Sequence, residues 1–273
     1  MLLAKRPKAP KAPRDFNRQA HAARAKIRGM IARGDRPTSK DFDDEWSDFK
    51  DRLAEAQHGR CGYCDAPVLA TSHGTIDHYR PKAEIKALLD EPTSWGTQKP
   101  HSASVTERKE QDVSELGYHW LAYAWSNYVF ACSICNASWK KSFFPVRIHP
   151  RRCPPRPRGR EDPLLLHCYG KLDPSKHLQF NKDGTVEARD KSPYGAETIR
   201  TVGLHRDPLC QDRKEVTERM FELLERYAEG EEAEAYRDIL RLGNERRPFA
   251  GVARAILEQV MDMSWSEFVT LSA

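Results

Sequence analysis

The sequence predicts an α+β fold, in which a small core of short strands and one helix lies between a helical N-terminal extension and a mainly helical C-terminal region. The core is marked by two Cys-x-x-Cys pairs, Cys61/Cys64 and Cys132/Cys135. Between them, the run Thr-Ile-Asp-His at residues 75–78 is typical of a short strand. After residue 210, apolar residues recur at helical spacing.

The N-terminal extension covers residues 1–54. Residues 1–13 are rich in lysine and proline and cannot bury apolar surface, so we expect them to be disordered. Residues 16–31 have weak helical spacing. Thr38 and Ser39 resemble the N-cap of a second helix, which would carry Phe42, Trp46, Phe49 and Leu53 into the first cysteine pair.

The core covers residues 55–148. The strand at residues 75–78 should end by Pro81, because proline cannot continue a central strand. Residues 90–116 are polar and contain two prolines and a glycine, which predicts an inserted loop. Residues 118–129 are aromatic-rich and are expected to form core packing beneath a metal site, and residues 135–141 should form a helix.

The C-terminal region covers residues 149–273 and begins with a linker rich in proline and arginine at residues 150–162. Residues 178–187 predict a hairpin, because two short apolar runs flank an Asp-Gly turn. Three apolar stripes then predict three helices, formed by Val216, Met220, Leu223, Leu224 and Tyr227, by Tyr236, Ile239 and Leu240, and by Phe249, Val252, Ile256 and Val260. These stripes either pack on each other or offer a surface to a partner subunit.

Four cysteines in two pairs are typical of a structural zinc site, which is closed and tetrahedral. The chain has seven cysteines, and its N-terminus has no apolar stretch after its charges, unlike a secretory signal. We therefore expect metal binding in a reducing, cytoplasmic environment rather than disulfides. No apolar stretch approaches the roughly 20 residues that cross a membrane, so no membrane association is expected.

The net charge is only +5, but its distribution is uneven. Residues 1–35 hold ten Lys and Arg against two acids, and residues 147–160 hold six Arg and no acid. Clustered cations bind a phosphate backbone through Coulomb attraction and counterion release. A solvated tail and a solvated loop remain the alternative.

A zinc cage does not account for Asp77, His78 and Asn136. A carboxylate and an amide oxygen are hard ligands that suit Mg²⁺ or Mn²⁺, and an imidazole beside them suits a general base. Asp77 and His78 are neighbours in a predicted strand, so their side chains should point to opposite sides of the backbone. That arrangement suits hydrolysis of a phosphodiester, with a metal on one side of the phosphate and a base on the other.

The ordered set of both cysteine pairs, Asp77-His78, Pro81, Asn127, Asn136 and Lys140 resembles the HNH (ββα-metal) endonucleases. The resemblance implies a zinc-stapled ββα-metal core, with His78 as the general base and Asp77 and Asn136 as ligands of the catalytic metal. It also implies that Asn127 braces the loop carrying the base. The predicted nucleic-acid contacts are Arg80, Lys82, Lys140, Lys141 and Arg147.

Two departures from the motif have consequences. Asn136 stands where many family members have histidine, which shifts the metal preference toward Mg²⁺ or Mn²⁺. The separation of Asp77 from Asn127 is longer than in compact members, and the insertion at residues 90–116 explains it.

A closer resemblance extends over about residues 55–215. The segment from Tyr118 to Asn127, the Cys-x-x-Cys-Asn at residues 132–136 and Phe144-Pro145 are similar to the HNH subunit of Septu-type and retron-associated anti-phage systems (PtuB-like). This resemblance implies an effector nuclease that acts with an ABC/SMC-like ATPase subunit (PtuA-like). DNA is the favoured substrate, with RNA as the alternative. The competing interpretation is a non-catalytic, zinc-stapled subunit that binds nucleic acid or serves as a scaffold.

Overall fold

The computed structural model describes residues 1–8, 14–69, 73–89, 110–147, 161–230 and 232–271. It has the predicted mixture of helices and small sheets, with a helical C-terminal region. In chain order the elements are α1 Arg14–Ala32, α2 Lys50–Ala56, β1 Thr75–His78, β2 Ile85–Leu88, β3 Glu110–Ser114, β4 Tyr128–Ala131, a short helix Ile134–Lys140, β5 Leu178–Phe180, β6 Val186–Ala188, α3 Pro193–Val202, α4 Asp207–Ala228, α5 Glu232–Leu242, α6 Ala250–Met261 and α7 Trp265–Thr270.

The β1 strand pairs in antiparallel register with β4, so that Asp77 lies opposite Val129 and His78 opposite Tyr128. All four residues of β4 are buried, which explains why this strand is a continuous apolar run. The short helix Ile134–Lys140 follows β4 directly. Thus the strand at residues 75–78 and the helix near residues 135–141 are both confirmed.

The predicted loop at residues 90–116 is wrong at its C-terminal end. Residues 110–114 form β3, which pairs in antiparallel register with β2, while residues 90–109 lie outside the described part of the chain. Three of the five β3 residues are exposed, so the strand lacks the apolar alternation that would have identified it. Its charged side chains instead pair across the ladder, where Lys86 Nζ donates to Glu110 at 2.6 Å.

The predicted disorder of residues 1–13 is wrong for residues 1–8, which pack against the rest of the chain; residues 9–13 are not described. Met1 is buried, and the Ala4 amide donates to the carbonyl oxygen of Cys168 at 2.8 Å. The Arg6 guanidinium donates to the carbonyl oxygens of Trp125 and Tyr128 at 2.9 and 3.0 Å. Composition did not indicate this, because the partners are backbone carbonyls that only the folded chain brings together.

The second predicted helix begins later than expected. The α1 helix is confirmed, but Thr38 caps only one 3₁₀ turn, Ser39–Asp41, and the chain is extended at Phe42. The Asp44 carboxylate then accepts from the backbone and hydroxyl of Ser47, a local alternative to helical hydrogen bonds. The α2 helix therefore starts at Lys50, although Phe42 and Trp46 are still buried.

Residues 118–127 contain two 3₁₀ turns, His119–Leu121 and Trp125–Asn127, which lead into β4. Tyr123 is buried, as predicted for a core residue, whereas Trp120 is half-buried.

The hairpin and the helices of the C-terminal region are confirmed. The Gly184 backbone has φ +82°, and a Cβ atom there would lie 2.1 Å from the carbonyl oxygen of Cys210, so the turn requires glycine. In the stripes of α4, α5 and α6, Met220, Ile239 and Ile256 are buried. Val216, Tyr227 and Leu240 are half-buried, and Val260 is 50% exposed. None of the described helices combines the length and the apolar character needed to cross a membrane.

The C-terminal region contacts the short helix Ile134–Lys140 closely. Trp139 packs on Gly203, whose φ is +65° and whose Cβ would lie 2.2 Å from the indole ring. One cluster of buried residues includes members of all three predicted segments. The division at residues 54 and 148 stays a prediction.

Candidate metal centre and active site

The four predicted cysteines, Cys61, Cys64, Cys132 and Cys135, come together as one cluster. Their sulfur atoms all lie within 4.8 Å of one another, and the Sγ atoms of Cys64 and Cys132 are 4.0 Å apart. A tetrahedral zinc ion with bonds of about 2.3 Å to sulfur needs similar separations. Within the described residues this is the only group of three or more histidine, cysteine and acidic side chains close enough to hold one metal ion. The donor set fits zinc.

The Gln57 side chain joins the two cysteine pairs. Its amide donates to the carbonyl oxygens of Arg60 and Phe130 at 3.0 and 2.8 Å, and its oxygen accepts from the Phe130 amide at 3.1 Å. The Gly62 amide also donates to the Phe130 carbonyl at 2.9 Å. These bonds tie the first cysteine pair to strand β4, which leads directly into the second pair. Sequence reasoning missed Gln57, since nothing in the local sequence distinguishes it from a surface glutamine.

Arg206 lies next to the cysteine cluster and was also not predicted. Its guanidinium donates to Cys135 Sγ at 3.6 Å and to the carbonyl oxygen of Gly203 at 2.8 Å. Burial alone would lower the pKa of Arg206, but the thiolates of the cluster raise it above its ordinary value. This cation from the α3–α4 corner balances part of the negative charge of the cluster.

Asp77 is buried and both of its carboxylate oxygens are engaged. Lys140 Nζ donates to Oδ1 at 3.1 Å, and the Tyr63 hydroxyl donates to Oδ2 at 2.5 Å. Lys140 is fully buried and also donates to the carbonyl oxygen of His78 at 2.9 Å. Burial lowers the pKa of Lys140, and the Asp77 carboxylate opposes that effect. Lys140 is thus the counterion of Asp77.

His78 has a defined tautomer. Its Nε2 lies 2.8 Å from the carbonyl oxygen of Ala122, which also accepts from the Tyr128 hydroxyl. A carbonyl oxygen can only accept, so Nε2 carries the proton and Nδ1 carries the lone pair. Burial lowers the pKa of His78 to about 3, with a further contribution from Lys82. The imidazole is therefore neutral near pH 7.

Two aromatic rings hold the imidazole of His78 edge to face. The ring centroid of Trp46 lies 4.6 Å away and that of Tyr128 5.3 Å away, both with interplanar angles of 86°. Trp46 belongs to the segment before α2, outside the predicted core. Sequence reasoning placed Trp46 on a helix face and missed its contact with His78.

Asn127 bonds the backbone that follows His78. Its Oδ1 accepts from the Arg80 amide at 2.9 Å, and its Nδ2 donates to the Arg80 carbonyl at 3.0 Å. Its own carbonyl oxygen accepts from the Tyr79 amide at 2.8 Å. These three bonds tie the segment that follows His78 to the end of the 3₁₀ turn before β4. The bracing role of Asn127 stays a prediction.

Asn136, Asp77 and His78 line one cleft of about 340 Å³. The Asn136 amide nitrogen donates to Thr75 Oγ1 at 3.0 Å. This leaves the amide oxygen as the group available to a cation. Ser39 and Trp46 from the N-terminal extension form another part of the wall, so the extension completes the cleft.

Of the predicted nucleic-acid contacts, Lys82 and Lys141 line the cleft. Lys82 Nζ lies 3.6 Å from the centroid of the Trp46 ring, and burial lowers its pKa to about 8, although Asp44 opposes the effect. Lys141 is exposed at the end of the short helix. Glu84, which was not predicted, also lines the cleft.

The other predicted contacts are placed differently. Lys140 is fully buried, so a phosphate cannot reach its ammonium. The ammonium instead neutralises the buried Asp77 carboxylate. Arg80 Nε lies 3.4 Å from the Glu161 carboxylate, and its guanidinium packs on the Phe144 ring. Arg147 pairs with Asp162 at 2.6 Å. The arginines at residues 151–160 lie outside the described residues.

Comparison with known proteins shows similarity to the Septu protein PtuB of Bacillus mycoides (strain KBAB4), with 34% identity over 169 residues. The matched part is 61% of this chain and 50% of the relative, so the chain spans about half the length of the curated relative it matches. No family model matches the chain. The similarity confirms the predicted closeness to PtuB-like proteins.

Proposed function

We propose that this chain is a metal-dependent endonuclease of the HNH type, which hydrolyses phosphodiester bonds of nucleic acid. One observation carries the proposal: a neutral His78 with its lone pair on Nδ1 lines the same cleft as a carboxylate and an amide that suit Mg²⁺ or Mn²⁺. In this proposal β1, β4 and the short helix Ile134–Lys140 form the ββα-metal core.

Two metals have separate roles in the proposal. Zinc at the four cysteines is structural, because four protein ligands leave no position for a substrate or water. Asp77 and Asn136 would hold Mg²⁺ or Mn²⁺, which would neutralise charge on the phosphate and on the leaving oxygen. The donor set fits, because each Asp77 oxygen accepts one hydrogen bond and still has a further lone pair.

Other residues of the cleft would transfer the proton, hold the base in position and bind the phosphate. Nδ1 of His78 accepts the proton of the attacking water, while the Ala122 carbonyl holds Nε2–H and so fixes the tautomer. Asn127 holds the backbone that follows His78. Lys82 and Lys141 bind phosphate oxygens at the cleft. Catalysis by positioning needs such fixed geometry, since a water and a phosphate must meet in one orientation.

We propose further that the protein is a cytoplasmic subunit of an anti-phage defence system. The similarity to a Septu protein PtuB supports this setting. The sequence resemblance adds an ABC/SMC-like ATPase (PtuA-like) as the partner. Control by such a partner is physically sensible, because an unregulated nuclease would cleave the nucleic acid of its own cell.

The test is cleavage of plasmid DNA and of RNA by the purified full chain, with Mg²⁺ and with EDTA. His78→Ala should lower the cleavage rate by about 10²–10⁴-fold, which is typical for loss of a general base. The matched control is His21→Ala, since His21 is exposed on α1. Zinc content and far-UV circular dichroism should match the wild type for both variants. A His78→Ala protein that cleaves at the wild-type rate would exclude the mechanism.

A non-catalytic subunit that binds nucleic acid is the second candidate. One observation favours it: the Asp77 carboxylate and His78 Nε2 already have hydrogen-bond partners within the protein, as in a purely structural site. Binding assays separate the two candidates. A binding subunit would lose affinity when Lys82 and Lys141 become methionine, but it would retain all of its function after His78→Ala.

A further inference from the structure

Tyr63 lies between two metal-ligating cysteines and yet contacts the proposed catalytic carboxylate. It is the third residue of Cys61-Gly62-Tyr63-Cys64, and its side chain is completely buried. Its backbone amide donates to Cys61 Sγ at 3.4 Å. Its hydroxyl donates to Asp77 Oδ2 at 2.5 Å. One residue therefore contacts both the cysteine cluster and the cleft.

The two partners of Asp77 differ in what they supply. Lys140 supplies charge and comes from the short helix, at the end of the chain segment that carries Asn136. Tyr63 supplies a directed hydrogen bond from a residue fixed by two neighbouring cysteines. The last torsion of an aspartate side chain is soft, so a point charge on one oxygen leaves the carboxylate plane poorly defined. A second bond to the other oxygen defines it.

We propose that Tyr63 is a positioning residue, which sets the orientation of the Asp77 carboxylate toward a divalent cation and thereby couples the cysteine cluster to the cleft. The inference rests on the proposed function, in which Asp77 and Asn136 hold that cation. Residues that orient metal ligands typically change metal affinity by about 10–100-fold when they are replaced. A tyrosine that only fills the core would change stability and leave the affinity for the cation unchanged.

The experiment measures binding of Mn²⁺ to the full-length, zinc-loaded protein by electron paramagnetic resonance of the free ion. Tyr63→Phe removes the hydroxyl and retains the ring. We expect the Kd for Mn²⁺ to rise by about 10–100-fold while the zinc content stays at the wild-type value. The matched control is Tyr236→Phe, because Tyr236 is a tyrosine of α5 whose hydroxyl donates to backbone carbonyls of α7. It should bind Mn²⁺ as the wild type does.

Asn136→Ala serves as the reference for loss of a proposed ligand. If Asn136→Ala weakens Mn²⁺ binding and Tyr63→Phe does not, the positioning role of Tyr63 is excluded and the proposed function stands. If neither the wild type nor Asn136→Ala shows a specific Mn²⁺ site, the proposed metal pair is excluded and the inference with it.

A measurement on the wild type covers the case in which Tyr63→Phe does not fold. Cadmium replaces zinc at four-cysteine sites and has a sensitive NMR resonance. Addition of Mg²⁺ to the cadmium-loaded protein should shift that resonance, because binding at Asp77 changes the hydrogen bond of Tyr63 and the backbone between Cys61 and Cys64. A resonance that does not move at saturating Mg²⁺ would overturn the coupling.

Discussion

Trp46 and His78 are in edge-to-face contact, with ring centroids 4.6 Å apart, although the two residues belong to different predicted segments. The indole ring comes from the N-terminal extension, and it also lies 3.6 Å from the ammonium of Lys82. The extension is thus part of the candidate active site. Replacement of this one ring should disturb the proposed general base His78 and the proposed phosphate-binding Lys82 together.

Trp46→Leu should lower kcat for nucleic-acid cleavage by up to about 10²-fold, since small misplacements of a catalytic group have effects of that size. The reason is loss of one of the two rings that hold the imidazole. Trp46→Phe retains an aromatic ring and should retain most of the activity. Trp265→Leu in α7 is the control, because Trp265 packs on Phe268 and Arg254. Full activity of Trp46→Leu would contradict the role of the ring.

Binding of nucleic acid should weaken as the pH rises through about 8. Burial lowers the pKa of Lys82 to about 8, so Lys82 is cationic below that pH and neutral above it. Fluorescence anisotropy of a labelled oligonucleotide between pH 6.5 and pH 9.5, in EDTA, would measure the effect. In Lys82→Met the step near pH 8 should disappear, whereas Lys141→Met should lower affinity across the range and retain the step.

Asp77→Asn should destabilise the fold by about 3–5 kcal/mol, because it leaves the buried ammonium of Lys140 without its counterion. The double variant Asp77→Asn/Lys140→Met removes both charges and should recover much of that loss. Urea unfolding of the zinc-loaded proteins would measure the difference. Cleavage should stay absent in the double variant, since the proposed metal ligand is still missing. Equal stability of the single and double variants would argue against a buried ion pair.

Arg6→Ala should lower the free energy of unfolding by about 1.5–3 kcal/mol, the usual range for loss of hydrogen bonds to a charged group. The guanidinium also packs over the Tyr169 ring at 4.2 Å. Thermal unfolding followed by circular dichroism would measure the change. Lys5→Ala is the matched control, because Lys5 is exposed in the same segment. An unchanged Tm for Arg6→Ala would show that the contact does not contribute to stability.

Cys132→Ser should abolish zinc binding and unfold the core, because structural zinc sites contribute directly to folding. Cys210→Ser is the control, since Cys210 is a free thiol outside the cluster. Zinc content measured by mass spectrometry and the near-UV circular dichroism spectrum would report both effects. A folded, zinc-free Cys132→Ser protein would contradict a structural metal site.

Features that depend on local spacing were predictable from the amino-acid sequence alone. The two Cys-x-x-Cys pairs each place two thiols within one turn, so four-cysteine binding was predictable without a structure. The run at residues 75–78, stopped at Pro81, indicated β1, and the Asp-Gly turn indicated the β5–β6 hairpin. Helical spacing after residue 210 indicated α4, α5 and α6. Each of these signals lies within a few neighbouring residues.

Which of these residues meet depends on how the chain packs in three dimensions. The partner of Asp77 was expected to be a metal, but Lys140 and Tyr63 already bind its two oxygens. The sequence shows a lysine 63 positions from Asp77 and does not show whether that ammonium faces solvent or the core. The tautomer of His78 likewise depends on the Ala122 carbonyl, 44 positions along the chain. Such contacts follow from how β1, β4 and the N-terminal extension pack, because burial and hydrogen-bond partners are properties of the folded chain.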